Sequence, residues 1–132
     1  MPPKTDGILE SSLYVSDVPR SARFYEETFG FRVILEFGER GCAMHTGTRQ
    51  VLLLFKKGAS LAVQSPHDGD GKLHLAFAIA STELAYWESW LQMSSASRRR
   101  RDFRGRFWKP GKAAVVDAEF FSRKASTVAS AR

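Results

Sequence analysis

Alternating apolar and polar residues mark the first element of the chain. Residues 8–15 place Leu9, Leu13 and Val15 on one side of an extended segment and Glu10, Ser12 and Tyr14 on the other. This period of two is typical of a strand with one buried face. The sequence therefore predicts a strand whose second face lines a polar space.

The next segment has the spacing of a helix. Its apolar residues recur at Val18, Ala22, Tyr25 and Phe29, with Asp17 placed to cap the first turn and Gly30 to follow the last. These signals predict a helix over 18–29. Three short extended runs separated by glycine-containing turns follow, at Phe31–Phe37, Cys42–Thr46 and Val51–Lys56. The first module is thus predicted to be βαβββ.

The strand and the helix recur further along the chain. Leu73–Ala80 predicts a strand, and Ser81 can cap a helix that ends near Met93. Glu10 precedes the cap of its helix by seven residues, and His74 precedes Ser81 by seven. Such repetition predicts two modules that share one site. Residues 58–71 are rich in Ser, Pro, Asp and Gly and predict the linker between the modules.

The basic character of the chain is confined to its last segment. Residues 1–93 carry a net charge of −2, whereas residues 94–132 carry +8. Four arginines, Arg98–Arg101, repel one another and cannot be buried in a strand without partners. Only Ala113–Phe121 again has the apolar density of a strand. We therefore expect an atypical basic tail over 94–132.

Length and cysteine content set broad limits. A chain of 132 residues with 43% hydrophobic residues is long enough for one domain with a core. Cys42 is the only cysteine, so no internal disulfide forms, which favours a reducing compartment and a packing role for this thiol. No stretch has the roughly 18 uninterrupted apolar residues of a membrane span. The sequence predicts a soluble, cytoplasmic protein.

Four motifs in the first 93 residues occur in a fixed order. They are Tyr14-Val15-Ser16-Asp17-Val18 before a helix, Phe29-Gly30-Phe31 after it, the apolar run 51–55, and His74-Leu75-Ala76-Phe77. In this order and spacing, residues 1–93 resemble the vicinal oxygen chelate superfamily, which includes glyoxalase I, bleomycin-resistance proteins and extradiol dioxygenases. The resemblance implies an α+β fold of paired βαβββ modules, module one at 7–57 and the start of module two at 72–93. It also implies a small-molecule ligand and a homodimer.

The resemblance further implies where a divalent metal ion would bind. Family ligands come from the first strand of each module and from the last strand of the second. These positions correspond to Glu10, His74 and, by its distance from the C-terminus alone, Glu119. The fourth-strand ligand position of glyoxalase I falls in the apolar run 51–55, and the Asp-Pro-x-Gly turn that normally precedes the final ligand does not occur.

The other polar residues are not expected to bind a metal ion. Ser12 and Tyr14 share the predicted face of Glu10, so we expect them to contact a substrate. His45 and His67 are expected to be surface or loop residues. Arginines contact phosphates, but no nucleic-acid-binding fold accompanies the basic tail, so we do not expect nucleic acid as a partner.

Three functions stay open. The leading hypothesis is a metal-dependent small-molecule enzyme, in which the ion polarises substrate oxygens for lyase, isomerase or transferase chemistry. A glutamate at the first position disfavours the iron site of the ring-cleaving dioxygenases. The alternatives are a metal-free protein that sequesters a small molecule and an inactive, truncated copy. A shift of reading frame near residue 93 would explain the basic tail, the missing strands and the missing turn together.

Overall fold

A computed structural model describes residues 1–62, 68–69, 75–93 and 113–117. The chain divides into two compact units, Met1–Asp70 and Gly71–Arg132. Within the described residues, neither helix has the length and hydrophobicity that crossing a bilayer requires. Both units combine helix and strand, so the predicted α+β class is confirmed.

The first unit is a four-stranded mixed sheet with one long helix. Its elements are β1 (Glu10–Val15), α1 (Val18–Phe29), β2 (Arg32–Glu36), β3 (Gly41–His45) and β4 (Val51–Lys56). The strand order is β1-β4-β3-β2, with β1 parallel to β4 and the other neighbours antiparallel. The βαβββ pattern predicted for the first module is therefore confirmed, and the bounds of α1 and β4 agree with the predicted ones.

Helix α1 begins and ends where its caps predict. The Asp17 carboxylate accepts a hydrogen bond from the backbone N–H of Arg20 at 2.9 Å, and the Ser21 hydroxyl donates to the Asp17 carbonyl at 2.8 Å. Gly30 adopts a left-handed conformation with φ of 70°, and its N–H donates to the carbonyl of Glu26. A left-handed residue with this bond is a common way to satisfy the last carbonyls of a helix.

The strand register assigns each residue of this sheet to one of two faces. Directly paired residues point to the same side, and successive residues along a strand point to opposite sides. One face carries the buried residues Leu13, Val15, Cys42, Met44, Leu52 and Leu54. Helix α1 packs on this side, because its residues Val18 and Ala22 line one cavity together with Cys42. The opposite side carries Glu10, Ser12 and Tyr14, and we call it the Glu10 face.

Aromatic rings attach the end of α1 to the unit. Tyr25 is fully buried and its ring stacks on that of Phe31, with the centroids 6.0 Å apart. Phe29 stacks on the same ring at 5.4 Å. Burial raises the pKa of the Tyr25 phenol well above its usual value, because the charged form loses its hydration. The phenol therefore stays neutral and contributes to packing.

The second unit contains a strand, a helix and a further strand within its described residues. They are β5 (Ala76–Ala80), α2 (Leu84–Met93) and β6 (Ala113–Asp117), and β5 pairs with β6 in antiparallel fashion. The predicted alternation in β5 is confirmed, since Phe77 and Ile79 are half-buried between exposed alanines.

Two features of the second unit differ from the first. A single 3-10 turn at Ser81–Glu83 precedes α2, and the residue at its cap position is Ala80, which makes no side-chain capping bond. The predicted cap by Ser81 is therefore wrong. In addition, β5 lies antiparallel to its described neighbour, whereas β1 lies parallel to β4.

Candidate functional site

The Glu10 face has a polar end. The register places Glu10, Val51, His45 and Arg32 in one row across β1, β4, β3 and β2. Glu10 and Arg32 are exposed, whereas Val51 and His45 are half-buried. Because neighbouring strands lie about 4.8 Å apart, the backbones of Glu10 and His45 are about 10 Å apart. In this row, and among the described residues, only the short side chain of Val51 lies between them, so a small molecule above Val51 is within reach of both.

The second row of this face is less polar. It consists of Ser12, Leu53, Ala43 and Leu35 in the same strand order. Leu53 and Ala43 are buried, Ser12 is half-buried, and Leu35 is 57% exposed. This row offers one hydroxyl group and an exposed apolar side chain next to the polar row.

The opposite end of the face is a small hydrophobic core. The Phe55 ring is 4% exposed and stacks on Tyr14 at a centroid distance of 6.5 Å and on Phe37 at 5.8 Å. Buried Ala43 and Leu53 pack in the same cluster. The aromatic end is therefore closed, and the accessible part of the face is the row that contains Glu10 and His45.

The segment after β4 packs over the aromatic end. Gly69 lies so close to the Tyr14 ring that a Cβ atom there would be 2.9 Å from its Cδ2. The Asp68 carboxylate accepts a hydrogen bond from the N–H of Gly58 at 2.6 Å, which ties Asp68 to the turn that follows β4. Tyr14 is consequently fixed as a wall of the face by contacts on two sides.

The predicted site residues have different outcomes. Glu10, Ser12 and Tyr14 lie on one face, as the alternation predicts, although Tyr14 packs against Phe55. His74 and Glu119 lie outside the described residues, as does His67, so their predicted roles stay predictions.

His45 was missed. It ends β3 on the Glu10 face and is half-buried, whereas the sequence predicted only a surface or loop residue without a role in the site. Ala43 and His45 are two residues apart in the predicted third strand, so alternation puts their side chains on the same face of that strand. Without the register between strands, however, the sequence does not show that this face also carries Glu10.

The described residues do not by themselves complete a metal site. Among them, no group of three or more His, Cys, Asp or Glu side chains is arranged to hold a metal ion. Glu10 and His45 provide a carboxylate and an imidazole, which are suitable donors for a divalent ion. Catalytic metal sites usually have at least three protein ligands, so two donors are too few.

A cavity of about 650 Å³ lies on the other side of the same sheet. It is formed by the start of α1 and by β2 and β3, with Asp17, Glu36, Glu39 and Lys56 among its lining groups and buried Cys42 beside them. The Asp17 carboxylate is already bonded as the helix cap. The side chains of Glu10, Ser12 and His45 make no hydrogen bond to another described residue, so we regard the Glu10 face, and not this cavity, as the candidate site.

Cys42 is not an activated nucleophile. Burial raises the pKa of its thiol, and the negative charges of Glu36 and Glu26 raise it further. Reactive cysteines have lowered pKa values, since the thiolate is the nucleophile. Cys42 is thus a packing residue, in agreement with its 4% exposure.

Comparisons with solved structures show the fold. Lactoylglutathione lyase from Agrobacterium tumefaciens superposes with a TM-score of 0.64 at 24% identity, and 84% of each chain is covered. A protein from the mobile metagenome of V. Pseudocholerae gives 0.59 at 18% identity, covering 89% of this chain and 87% of the other. The fosfomycin resistance protein FosX from Listeria monocytogenes gives 0.52 at 13% identity, covering 89% and 86%. At these identities the likeness extends to the fold alone.

The sequence itself shows the family. No curated protein matches the chain. The sequence profile of a protein superfamily, in contrast, matches residues 7–89, which is more than half of the chain. This range contains the first module, with Glu10 and His45, together with β5 and the start of α2. The chain therefore belongs to the Glyoxalase/Bleomycin resistance protein/Dioxygenase superfamily.

Proposed function

We propose that this protein binds a small organic molecule at the polar end of the Glu10 face. The observation that carries the proposal is the row in which Glu10 and His45 flank Val51 on an accessible part of the sheet. Binding sites combine an apolar surface with a few convergent polar groups. Val51 and Leu35 supply the apolar surface here, and the carboxylate, imidazole and Ser12 hydroxyl supply the polar groups.

Each polar group has a distinct role in this proposal. The Glu10 carboxylate accepts hydrogen bonds from the ligand, and the His45 imidazole has one donor and one acceptor when neutral. The Ser12 hydroxyl can both donate and accept. Tyr14 and Phe55 do not contact the ligand directly but hold β1 and β4 in place through their stacked rings. The site therefore recognises hydroxyl, carbonyl or similar groups on a compact molecule.

A second candidate is metal-dependent catalysis of the lyase, isomerase or transferase type. It is favoured by one specific observation, the exposed carboxylate of Glu10 at the strand position from which family metal ligands come. Glu10, His74 and Glu119 would hold a divalent ion, which when bound acts as a Lewis acid on substrate oxygens. Metal-free sequestration is the rival. A cytoplasmic homodimer is part of either proposal.

The ligand-binding proposal is tested with compounds suggested by the relatives. S-lactoylglutathione, bleomycin and 1S,2S-dihydroxypropylphosphonic acid are titrated by calorimetry, each with and without Mn²⁺. Val51→Trp fills the proposed site, whereas Lys56→Trp places the same bulky ring in the cavity on the other side of the sheet. Binding of at least one compound that V51W abolishes and K56W preserves supports the proposal. Loss through K56W alone would assign the ligand to the α1 cavity instead.

The two candidates are separated by metal analysis. Purified protein is dialysed against Mn²⁺ and its metal content measured by mass spectrometry for the wild type, Glu10→Ala and His74→Ala. One ion per chain that both variants lose supports the enzyme. Ligand binding without stoichiometric metal supports sequestration, and the absence of both supports the inactive, truncated copy.

A further inference from the structure

The row on the Glu10 face has a positively charged end. Arg32 and His45 are direct partners in the register of β2 and β3, so their side chains lie on the same side of the sheet. Cβ atoms of such pairs are about 4.5–5.5 Å apart. The guanidinium is always charged, and the imidazole offers an N–H donor in either protonation state. Two donors therefore lie side by side at one edge of the site.

No carboxylate among the described residues balances this pair. Glu36 is on the same strand, but its register with Cys42 places it on the α1 side. Glu10 is three strands away from Arg32, which corresponds to about 14 Å. This is the separation of the two backbones, and exposed charges at such a spacing are strongly screened in physiological salt. Arg49, exposed in the loop after β3, adds further positive charge. The edge therefore has unbalanced positive charge at which an anion would be stabilised.

We propose that Arg32 and His45 bind the anionic group of the ligand, a carboxylate or a phosphate-type group. A guanidinium can donate two parallel hydrogen bonds to such an anion, and charge-assisted bonds are roughly twice as strong as neutral ones. The rest of the ligand then lies over Val51, with uncharged hydrogen-bonding groups towards Glu10, because a second anion there would be repelled. This inference rests on the proposed function and adds the charge and the orientation of the ligand.

Inorganic phosphate and acetate serve as probes of the anion site. Each is titrated into ¹⁵N-labelled protein at low ionic strength, and the amide shifts of residues 32–36 and 41–45 are followed by NMR. Arg32→Gln, which removes the charge, and His45→Leu, which removes the N–H donor, should each weaken binding of the preferred probe about tenfold, as expected for loss of a charge-assisted bond. Arg23→Gln, an exposed arginine on α1, removes the same charge at a distance from the site and should leave binding unchanged. Circular dichroism confirms that each variant is folded.

The outcomes separate this inference from the proposed function. A preference for phosphate or for acetate identifies the anion class. If R23Q weakens binding as much as R32Q does, anion binding depends only on the net charge of the protein and the inference is overturned. The same holds if neither probe shifts residues of β2 and β3. In both cases the proposed function still stands when V51W abolishes binding of the test compounds, because that result does not depend on an anion.

Discussion

Gly41 lies directly against the carbonyl group of Leu54 on the adjacent strand, with no space for a side chain between them. A Cβ atom at Gly41 would overlap with the Leu54 oxygen and lie 3.1 Å from the Cα of Phe55. We predict that Gly41→Ala lowers the free energy of unfolding by at least about 2 kcal/mol, because the β3–β4 pairing must open to admit the methyl group. Urea denaturation measures this loss. Gly47→Ala, whose Cβ would meet no atom within 4 Å, is the control and should cost less.

Truncating a leucine to alanine should lower the stability by different amounts on the two faces of the sheet. Leu54 is fully buried on the α1 side, whereas Leu35 is 57% exposed on the Glu10 face. Leu54→Ala should therefore destabilise the protein by roughly 2–5 kcal/mol, as is usual for a buried leucine. Leu35→Ala should cost less than about 1 kcal/mol. Equal losses in thermal or urea denaturation would mean that Leu35 is covered, and the accessible site on that face would then be wrong.

Ionisation of the buried Cys42 thiol should destabilise the fold at alkaline pH. Its pKa is raised by burial and then by Glu36 and Glu26, so the folded protein holds the thiol proton more tightly than the unfolded chain does. The protonated thiol therefore contributes to the free energy of unfolding. This contribution is fully present below the ordinary thiol pKa of about 8.5, and it is lost as the pH rises through the higher pKa that Cys42 has in the folded protein. Alkylation by iodoacetamide should accordingly be slow at neutral pH.

Variants of two glutamates test the cause of this shift. Glu36→Gln removes a charge that raises the pKa of Cys42, so alkylation should begin at a lower pH than in the wild type. Glu39→Gln removes a carboxylate that lines the same cavity but does not contribute to the shift, and it should leave the profile unchanged. Identical profiles for wild type and E36Q would show that the Glu36 charge does not contribute to the raised pKa of Cys42.

Local signals predicted most of the first unit, since its elements are set by neighbours in sequence. Asp17 and Gly30 define the ends of α1 by their own bonds, and the apolar run of β4 has no competing interpretation. Ser81 failed as a cap because a 3-10 turn inserts between β5 and α2. A single turn of this kind has no strong sequence signal, so helix starts remain the least predictable feature.

Which residues share the site depends on strand pairing between segments that are distant in sequence. Alternation along β1 puts Glu10, Ser12 and Tyr14 on one side without any knowledge of the sheet. The place of His45 beside them follows only from the β1-β4-β3 order and register. The burial of Tyr14 by Phe55 and Gly69 likewise depends on long-range packing. The sequence therefore predicts Glu10, Ser12 and Tyr14 on one face but not the His45 imidazole that shares the accessible row with Glu10.

The basic tail suggests a test for a shift of reading frame near codon 93 of the gene. The charge balance changes from −2 over residues 1–93 to +8 over residues 94–132, and in the latter segment only Ala113–Phe121 has the apolar density of a strand. We expect one of the two other reading frames after codon 93 to encode alternating strands and an Asp-Pro-x-Gly turn followed by a glutamate. Sequencing the DNA across this codon tests it, and two frames without such a pattern would show that the tail is genuine.

NMR mapping tests the central claim, that the ligand site is the Glu10 face, most directly. The tightest-binding compound of the test panel is titrated into ¹⁵N-labelled protein, and amide shifts are compared between the two sides of the sheet. If the ligand binds on the Glu10 face, the largest shifts occur at Glu10, Val51 and His45, which share one row. Largest shifts at Ser16, Val18 and Glu39, which line the cavity beside α1, would contradict it.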